Sequence, residues 1–340
     1  NKTQKWATKT GDVLISMTGS GPNSPASVVG RVARVSKNDP ASFINQRIGR
    51  ILLKKRQAIS LDFIFYLLSL PKSQNYLVSN SSGSANQANI SGQIIGSLPC
   101  PAISFTESLA IASIGRCLDD KIENNQRMNE TLEEMARAIF KSWFVDFDPV
   151  HAKAAGNAPA HMDAETAALF PSSFGNDGLP VGWVWRKLGD CVSLTKGRSY
   201  KSAELQESDT ALVSLKSFLR GGGYRPDGLK AYTGTYKDEQ TLTSGDLIVA
   251  LTDVTQAADV IGKPAIVRSN NVFKTLVASL DVGVVRSIVP SVSIPFLYCM
   301  MMTYDFQTHI YGHTSGTTVL HLGKEGMPTY EFGMPAYEVL

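Results

Sequence analysis

The sequence predicts an α+β protein in which two mixed α/β domains, copies of one another, are connected by a long coiled-coil-forming helix. Two observations lead there. Four sequence blocks recur in the same order at an offset of about 233 residues, the signature of an internal repeat. Between the copies, about 40 residues keep an apolar period of helical length without a break, which is long for a helix inside a globular domain.

The repeat is read block by block. TGDVLISMT (Thr10 to Thr18) matches SGDLIVALT (Ser244 to Thr252), and VVGRVARV (Val28 to Val35) corresponds to VIGKPAIV (Val260 to Val267). ISLDFIFYLL (Ile59 to Leu68) then aligns with VSIPFLYCMM (Val292 to Met301), and SSGSA from Ser81 with TSGTT from Thr314. Each copy reads as a short alternating strand after a Gly-Asp turn, a Val-rich second strand, and an apolar segment of helical length that ends in a Ser-Gly turn. One Gly-Asp pair says little, because such turns occur in any β-rich chain. Their recurrence in the same register carries the inference.

The intervening helix opens at Ser104 with Glu107 three residues later, a capping-box arrangement, and ends before Pro149. Ile111, Ile114, Leu118, Met128, Leu132, Met135 and Ile139 alternate at spacings of three and four, the a/d seam of a coiled coil. Lys121 and Asn125 interrupt that seam. A polar residue at such a position lowers stability and fixes register, so the expected partner is one specific helix in one alignment. Trp143, Phe144 and Phe147 close the helix with bulky apolar groups that a lone helix would leave in water. Residues 152–178, rich in Ala, Pro, Gly and Asn, look like a connector.

At 340 residues and 43% hydrophobic content the chain has room for two cores. The longest apolar runs, Ala58 to Leu70 and Val292 to Tyr304, are interrupted by Asp62 and Pro295 and are too short to cross a bilayer. Cys100, Cys117, Cys191 and Cys299 show neither CxxC pairing nor histidines at ligand spacing, which speaks against a disulfide framework or a zinc site and for free, buried thiols in a cytosolic protein. The net charge of +3 hides an asymmetry: residues 1–103 hold 12 Lys and Arg against 3 Asp and Glu, residues 104–148 hold 5 against 9, and residues 149–340 hold 16 against 18. The first segment, at +9, suits an anionic polymer, since each cation set against a phosphate releases condensed counterions.

The run LDDKIENNQRMNETLEEMARAIFKSWFVDFDPV, Leu118 to Val150, closely resembles the central conserved helix of type I restriction-modification specificity subunits. LPVGWVWRKLGD (Leu179 to Asp190) resembles the opening of a target-recognition domain in that family, and TKGRSY from Thr195 the turn after its first strand. SSGS from Ser81 and TSGTT from Thr314 are similar to the segment that precedes the return into the conserved helix. The resemblance implies four regions: residues 1–103 as the C-terminal part of a first target-recognition domain, 104–148 as the central spacer helix, 149–178 as connector, and 179–340 as a second target-recognition domain. The first copy has no counterpart of Trp183 to Asp190 and the second has no distal conserved helix, so the chain is expected to be a partial subunit.

The implied function is sequence recognition on double-stranded DNA, with a bipartite target, and docking of two modification (methyltransferase) subunits and of restriction subunits. The alternative is the recognition portion of a fused restriction-methyltransferase enzyme; a third reading is a two-domain interaction protein without nucleic acid. The chain carries no (N/D)PP(Y/F) motif, no glycine-rich cofactor loop and no nuclease or ATPase constellation, and GSGPNSP at Gly19 lacks the lysine and the strand-to-helix setting of a phosphate loop. By resemblance, the chain is not itself an enzyme, and S-adenosylmethionine, ATP and Mg belong to the partner subunits. No catalytic or metal residue is expected; His309, His313 and His321 have no carboxylate or thiol at ligand spacing and read as turn or surface residues.

Reading DNA requires side chains that reach base edges and others that hold phosphates. Turn residues of the two copies are the candidates: Ser20, Asn23, Arg31, Arg34, Ser82, Ser84 and Asn86 in the first, and Lys196, Arg198, Lys216, Arg220, Tyr224, Arg225, Thr317 and Thr318 in the second. For subunit docking the candidates lie on the helix: Leu118, Asn125, Met128, Leu132, Met135, Ile139, Trp143 and Phe144. A rod of about 40 residues at about 1.5 Å each spans on the order of 60 Å, a ceiling near 18 base pairs for the spacing of two half-sites.

Overall fold

The computed structural model describes residues 4–20, 28–55, 58–84, 87–255 and 257–335. The chain divides into two compact units, Asn1–Asn129 and Glu130–Leu340. In the first, strands β1 (Val13–Ser16), β2 (Thr18–Gly19), β3 (Val32–Arg34) and β4 (Ile48–Arg50) precede helices α1 (Leu61–Ser69) and α2 (Pro71–Ser79). A hairpin of β5 (Ser82–Ser84) and β6 (Gln87–Asn89) follows, then the short α3 (Gly92–Gly96) and the long α4 (Phe105–Phe144). β1 is central: Leu14 stands opposite Ala33 of β3 on one edge and Arg50 of β4 on the other, both antiparallel. Its inward side chains Val13 and Ile15 are buried, and Ile15 packs with Val29, Leu68, Leu77, Ala88 and Ile90.

The second unit adds the short helices α5 (Asp148–Ala154) and α6 (Ala164–Ala168), then β7 (Val184–Lys187), β8 (Val192–Lys196), β9 (Thr210–Val213), β10 (Lys230–Ala231) and β11 (Thr241–Leu242). Next come β12 (Leu247–Ala250), β13 (Thr252–Asp253), β14 (Pro264–Ile266), β15 (Thr275–Ala278) and β16 (Val282–Ser287). Helices α7 (Ile294–Met301) and α8 (Tyr304–Gly312) and strands β17 (Thr314–Ser315), β18 (Leu320–Leu322) and β19 (Glu331–Met334) complete it. One sheet has the order β14-β12-β16-β8, and a second the order β10-β9-β15-β11 with β9 and β15 parallel. Along β12, Leu247 and Val249 point into a core with α7 and α8, while Ile248 and Ala250 point into a core with β9 and β15. A strand covered on both faces reads as a continuous apolar run, which is why LIVA stands where the first unit has VLIS.

Strand register is the same in the two units. Ile15 faces Val32 and Gly49 in one, and Val249 faces Pro264 and Gly283 in the other. The turn before the central strand repeats atom for atom: Asp12 accepts the backbone N–H of Lys9 at 2.8 Å, and Asp246 that of Thr243 at 2.8 Å. Gly30 and Gly262, both at positive φ, occupy the same point before β3 and β14; a Cβ there would lie 2.9 Å from Leu77 in one unit and 2.4 Å from Ile310 in the other. β2 pairs with β6 as β13 pairs with β18. The internal repeat is therefore one topology used twice, with α1 and α2 corresponding to α7 and α8.

Helix α4 starts as the sequence indicates, with Ser104 N–H bonded to Glu107 at 2.7 Å and Glu107 N–H to the Ser104 hydroxyl at 3.1 Å. Within the first unit its inward face is small: Ser108 and Ala112 are buried, and the ring of Tyr66 comes so near Gly115 that a Cβ there would lie 2.6 Å away. Within the second unit the inward face is aromatic. Phe140 is buried, its ring 5.2 Å from that of Phe296, and Phe144 lies 5.3 Å from Phe296 and 5.9 Å from Trp183. Trp143 stacks edge-on with Phe170 at 5.5 Å. The seam residues Ile111, Ile114, Leu118, Met128, Leu132, Met135 and Ile139 all stay exposed.

Positive φ and close contact act together at Gly262, whereas Gly312, the last residue of α8, has open space at its Cβ position. Gly262→Ala is expected to destabilise the protein by about 2 kcal/mol, and Gly312→Ala to stabilise it by up to about 1 kcal/mol. Urea unfolding checks both; a Gly262→Ala midpoint equal to wild type would refute this account of the repeat's turn.

Candidate nucleic-acid interface

In the first unit, the pairing of Thr18 with Asn89 and Gly19 with Ala88 brings the chain after β2 beside the β5–β6 hairpin. Ser20, which follows β2, and Ser82, which opens β5 on the other side of β6, are both exposed. Ser84 is in β5, and its neighbour Gly83 sits at φ +125°, where a Cβ would come within 2.2 Å of the Gln87 carbonyl. Asn23 and Asn86 lie outside the described residues. Arg31 is exposed beside Gly30.

Arg34 has a different setting. Its guanidinium is 3.3 Å from Asp62 on α1 and 3.0 Å from Asp119 on α4, and lies over the rings of Phe65 and Tyr66. Arg116 closes on Asp62 at 2.7 Å, and the Tyr66 hydroxyl donates to Asp119 at 2.7 Å. Burial and that bond to a carboxylate both push the tyrosine pKa up. Arg34 thus ties β3, α1 and α4 together, and its charge is largely spent inside the unit.

In the second unit, several candidates converge on one end of the paired strands. Lys196 ends β8 opposite Gly283, and Arg198 bridges to Ser279, its N–H bonded to Ala278 at 2.7 Å. Ser279 in turn donates to Val213 at the end of β9, two residues before Leu215–Ser217, which presents Lys216 exposed. Arg220, with 81% of its side chain exposed, lies 3.9 Å from Asp259, and Gly221 N–H bonds the Asp259 carbonyl at 2.9 Å. Thr317 and Thr318 are exposed in the turn between β17 and β18. Two candidates differ from the rest: Arg225 is held by both oxygens of Asp227 at 2.7 and 2.9 Å, and Tyr224 is 4% exposed with its ring in the core against the second sheet.

Asp253, which the sequence reading passed over, organises the loop between β13 and β14. It is fully buried, and its carboxylate accepts N–H donors from Thr255 at 2.6 Å, Val260 at 2.6 Å and Ile261 at 3.0 Å. The available signal was Asp-x-Thr after a strand, the spacing at which an Asp side chain caps its own backbone two residues on. The corresponding residue in the first unit is Gly19, which has no carboxylate. His309 and His313 bond backbone carbonyls of Gly326 and of His309 itself. Among the described residues, no group of three His, Cys, Asp or Glu side chains could hold a metal ion, and no helix is long and apolar enough to cross a membrane.

On the helix, Leu118, Asn125, Met128, Leu132, Met135 and Ile139 are exposed, while Trp143 and Phe144 pack inward on Val150, Phe170 and Trp183.

Burial alone raises the Asp253 pKa, but the bonds from Thr255, Val260 and Ile261 outweigh it and hold the carboxyl below the usual carboxylate range. A carboxylate depressed in the fold contributes stability that is present above the unfolded value, near 3.9, and lost as pH falls through the folded value. Between pH 5 and pH 3, wild-type stability in urea is therefore expected to fall more steeply than that of Asp253→Ala; parallel curves would count against the assignment.

No family model matches the chain. It is 24% identical over 390 aligned positions, 99% of this chain and 79% of the relative, to the type I restriction enzyme HindI specificity subunit of Haemophilus influenzae. A second relative, the MjaIX specificity subunit of Methanocaldococcus jannaschii, is 26% identical over 195 residues, 57% of this chain but only 40% of that protein. Among solved structures, the S subunit of a type I restriction-modification system from M. genitalium aligns over 98% of this chain and 74% of that one, with 15% identity and a TM-score of 0.48. In sequence the chain is thus similar to type I restriction enzyme specificity subunits, over nearly its whole length in one relative and over little more than half in the other.

Proposed function

We propose that the chain is the DNA-recognition and scaffold subunit of a type I restriction-modification complex, non-catalytic by itself, reading a bipartite target. The observation that carries this is one topology used twice, in the same strand register, on a chain whose intervening helix runs unbroken from Phe105 to Phe144. A duplicated reader attached to a rod suits two half-sites separated by an unread spacer. Similarity to specificity subunits across 99% of the chain supports the same reading.

Within it, Ser20, Ser82, Lys196, Arg198, Lys216, Arg220, Thr317 and Thr318 are the contacts to phosphates and base edges, since all are exposed turn or strand-end residues. Arg34, Arg225 and Tyr224 serve the reader's own structure. The exposed seam of α4 is the docking face for the methyltransferase subunits, and restriction subunits join through that assembly. S-adenosylmethionine, ATP and Mg act in those partners, and the complex works in the cytoplasm as an adenine methyltransferase and ATP-dependent endonuclease.

The recognition reading is tested on the full chain co-expressed with its modification subunit. Duplex DNA affinity is expected to fall steeply with salt, by about 0.9 in log-log slope for each phosphate neutralised; a slope near zero would sink the proposal. The docking reading is tested at the seam. Because Leu132, Met135 and Ile139 are about half exposed, replacing all three with Asp leaves the chain's own cores untouched and is expected to abolish co-purification with the modification subunit. A complex of unchanged elution volume in size exclusion would overturn it.

A further inference from the structure

In the second unit a pocket of about 220 Å³ opens beside the C-terminal end of α4, walled chiefly by aromatic rings, among them those of Phe144, Phe147, Trp185 and Tyr330. Two carboxylates join the lining, Asp305 in the first turn of α8 and Glu331 at the start of β19, and among the described residues no Lys, Arg or His side chain belongs to it. The wall is fixed before anything enters. Phe144 meets the ring of Phe296 edge-on at 5.3 Å, and Phe147 meets that of Trp183 edge-on at 5.5 Å. Phe147 sits at φ +55°, a backbone conformation that L side chains rarely adopt and that the surrounding contacts must hold. Trp185 is 53% exposed on β7 and stands opposite Gly333, which brings no side chain to cover it. Asp305 and Glu331 are exposed, and among the described residues neither carboxylate has a hydrogen bond or an ion pair. The cations nearby do not serve them: Lys141 is engaged by Asp146, and Lys187, opposite Glu331 in the ladder, lies outside the lining.

Aromatic faces are electron-rich and attract a cation, and free carboxylates beside them add full opposite charge. A purely apolar occupant would cover those carboxylates without pairing them, at a cost in desolvation. A guanidinium satisfies both parts of the wall, because its flat face stacks on a ring while its N–H fork reaches carboxylate oxygens. We propose that the pocket receives an arginine side chain of the modification subunit, with Asp305 and Glu331 as its counter-charges. The proposal rests on the docking reading above, in which the partner lies along α4, the helix whose last turn forms one wall of the pocket. A cation on partly exposed rings gains roughly two- to thirty-fold in affinity. That is too little to retain a free small cation, but it strengthens an interface that other contacts already hold.

Two measurements test it. In the first, the purified full chain is titrated with ethylguanidinium and, separately, with ethylurea, its uncharged counterpart of nearly the same shape. The Trp185 indole N–H resonance, assigned by its loss in Trp185→Phe, is followed by NMR. Ethylguanidinium is expected to shift that resonance, with saturation in the millimolar range, and ethylurea to leave it in place; the shift is expected to vanish when Asp305→Asn and Glu331→Gln are combined. Equal responses to the two probes, or none to either, overturn the assignment of the pocket to a cation. In the second, the affinity of the full chain for the modification subunit is measured. The double variant, changed at two exposed positions with almost no change in shape, is expected to bind roughly ten-fold more weakly. Unchanged affinity overturns the partner's arginine as occupant, whatever the probes show. If the wild-type chain forms no complex with the modification subunit, the docking reading itself fails, and this outcome is separate from the other two.

Discussion

Both units depend on one constraint: a four-residue central strand with partners on both edges. Backbone N–H and C=O groups taken out of water must be paired, so β1 needs β3 on one side and β4 on the other, and β12 needs β14 and β16. The near partner returns after a loop whose glycine sits at positive φ against α2 or α8; the far partner returns after a longer excursion. Once those edges are filled, the helical pair can close only one face, and the chain after the central strand is directed towards the β5–β6 or β17–β18 hairpin. Ser20 at the end of β2, and Thr317 with Thr318 in the β17–β18 turn, are placed by that geometry rather than by their own identity.

The same constraint explains what was legible in the sequence. All four repeated blocks correspond to paired elements: the Gly-Asp turn and central strand, the glycine and second strand, the first helix of the pair, and the Ser-Gly hairpin. These are positions where side chains bear directly on geometry, through an Asp that caps a turn, a glycine at positive φ, or a strand that must be apolar. The third strand went unseen because Ile48–Arg50 is only three residues long and shares with its counterpart only the glycine, Gly49 and Gly283, that faces the central strand. Strand pairing runs through the backbone, so identical register imposes little on sequence. Arg34 looked like an exposed cation because its partner Asp119 is 85 residues away in the chain. Tyr224, following three glycines, looked like a turn residue, but its ring is drawn into the core between sheets. Asp253 was overlooked because a lone carboxylate in a loop is ordinarily surface, and only the fold brings three N–H donors to it.

Duplication also frees the two copies to diverge where the ladder does not constrain them. The second unit inserts β15 between its second and third ladder strands and so gains a parallel pairing with β9 and a second core. With that core on its far face, β12 is apolar at every position and β1 is not. The short strand differs as well: it ends on the buried carboxylate of Asp253 in the second unit and on Gly19 in the first. Two copies that share a ladder can differ in their loops, because the ladder only presents the loops and leaves their residues unconstrained.

Helix α4 shows the two modes of attachment that such a chain uses. Against the first unit it offers Ser108, Ala112 and Gly115, so that α1 approaches closely, with Asp119 meeting Arg34 and Tyr66 at the edge of the contact. Partly exposed ion pairs of this kind contribute little net stability, because desolvation and side-chain ordering offset the attraction. Against the second unit it offers Phe140, Phe144 and Trp143, which bury large apolar area. Neither face uses Leu118, Met128, Leu132, Met135 or Ile139, which leaves a helix with most of its apolar seam turned to water. A seam of that length is unfavourable as bare surface, and among the described residues it has no role in packing either unit.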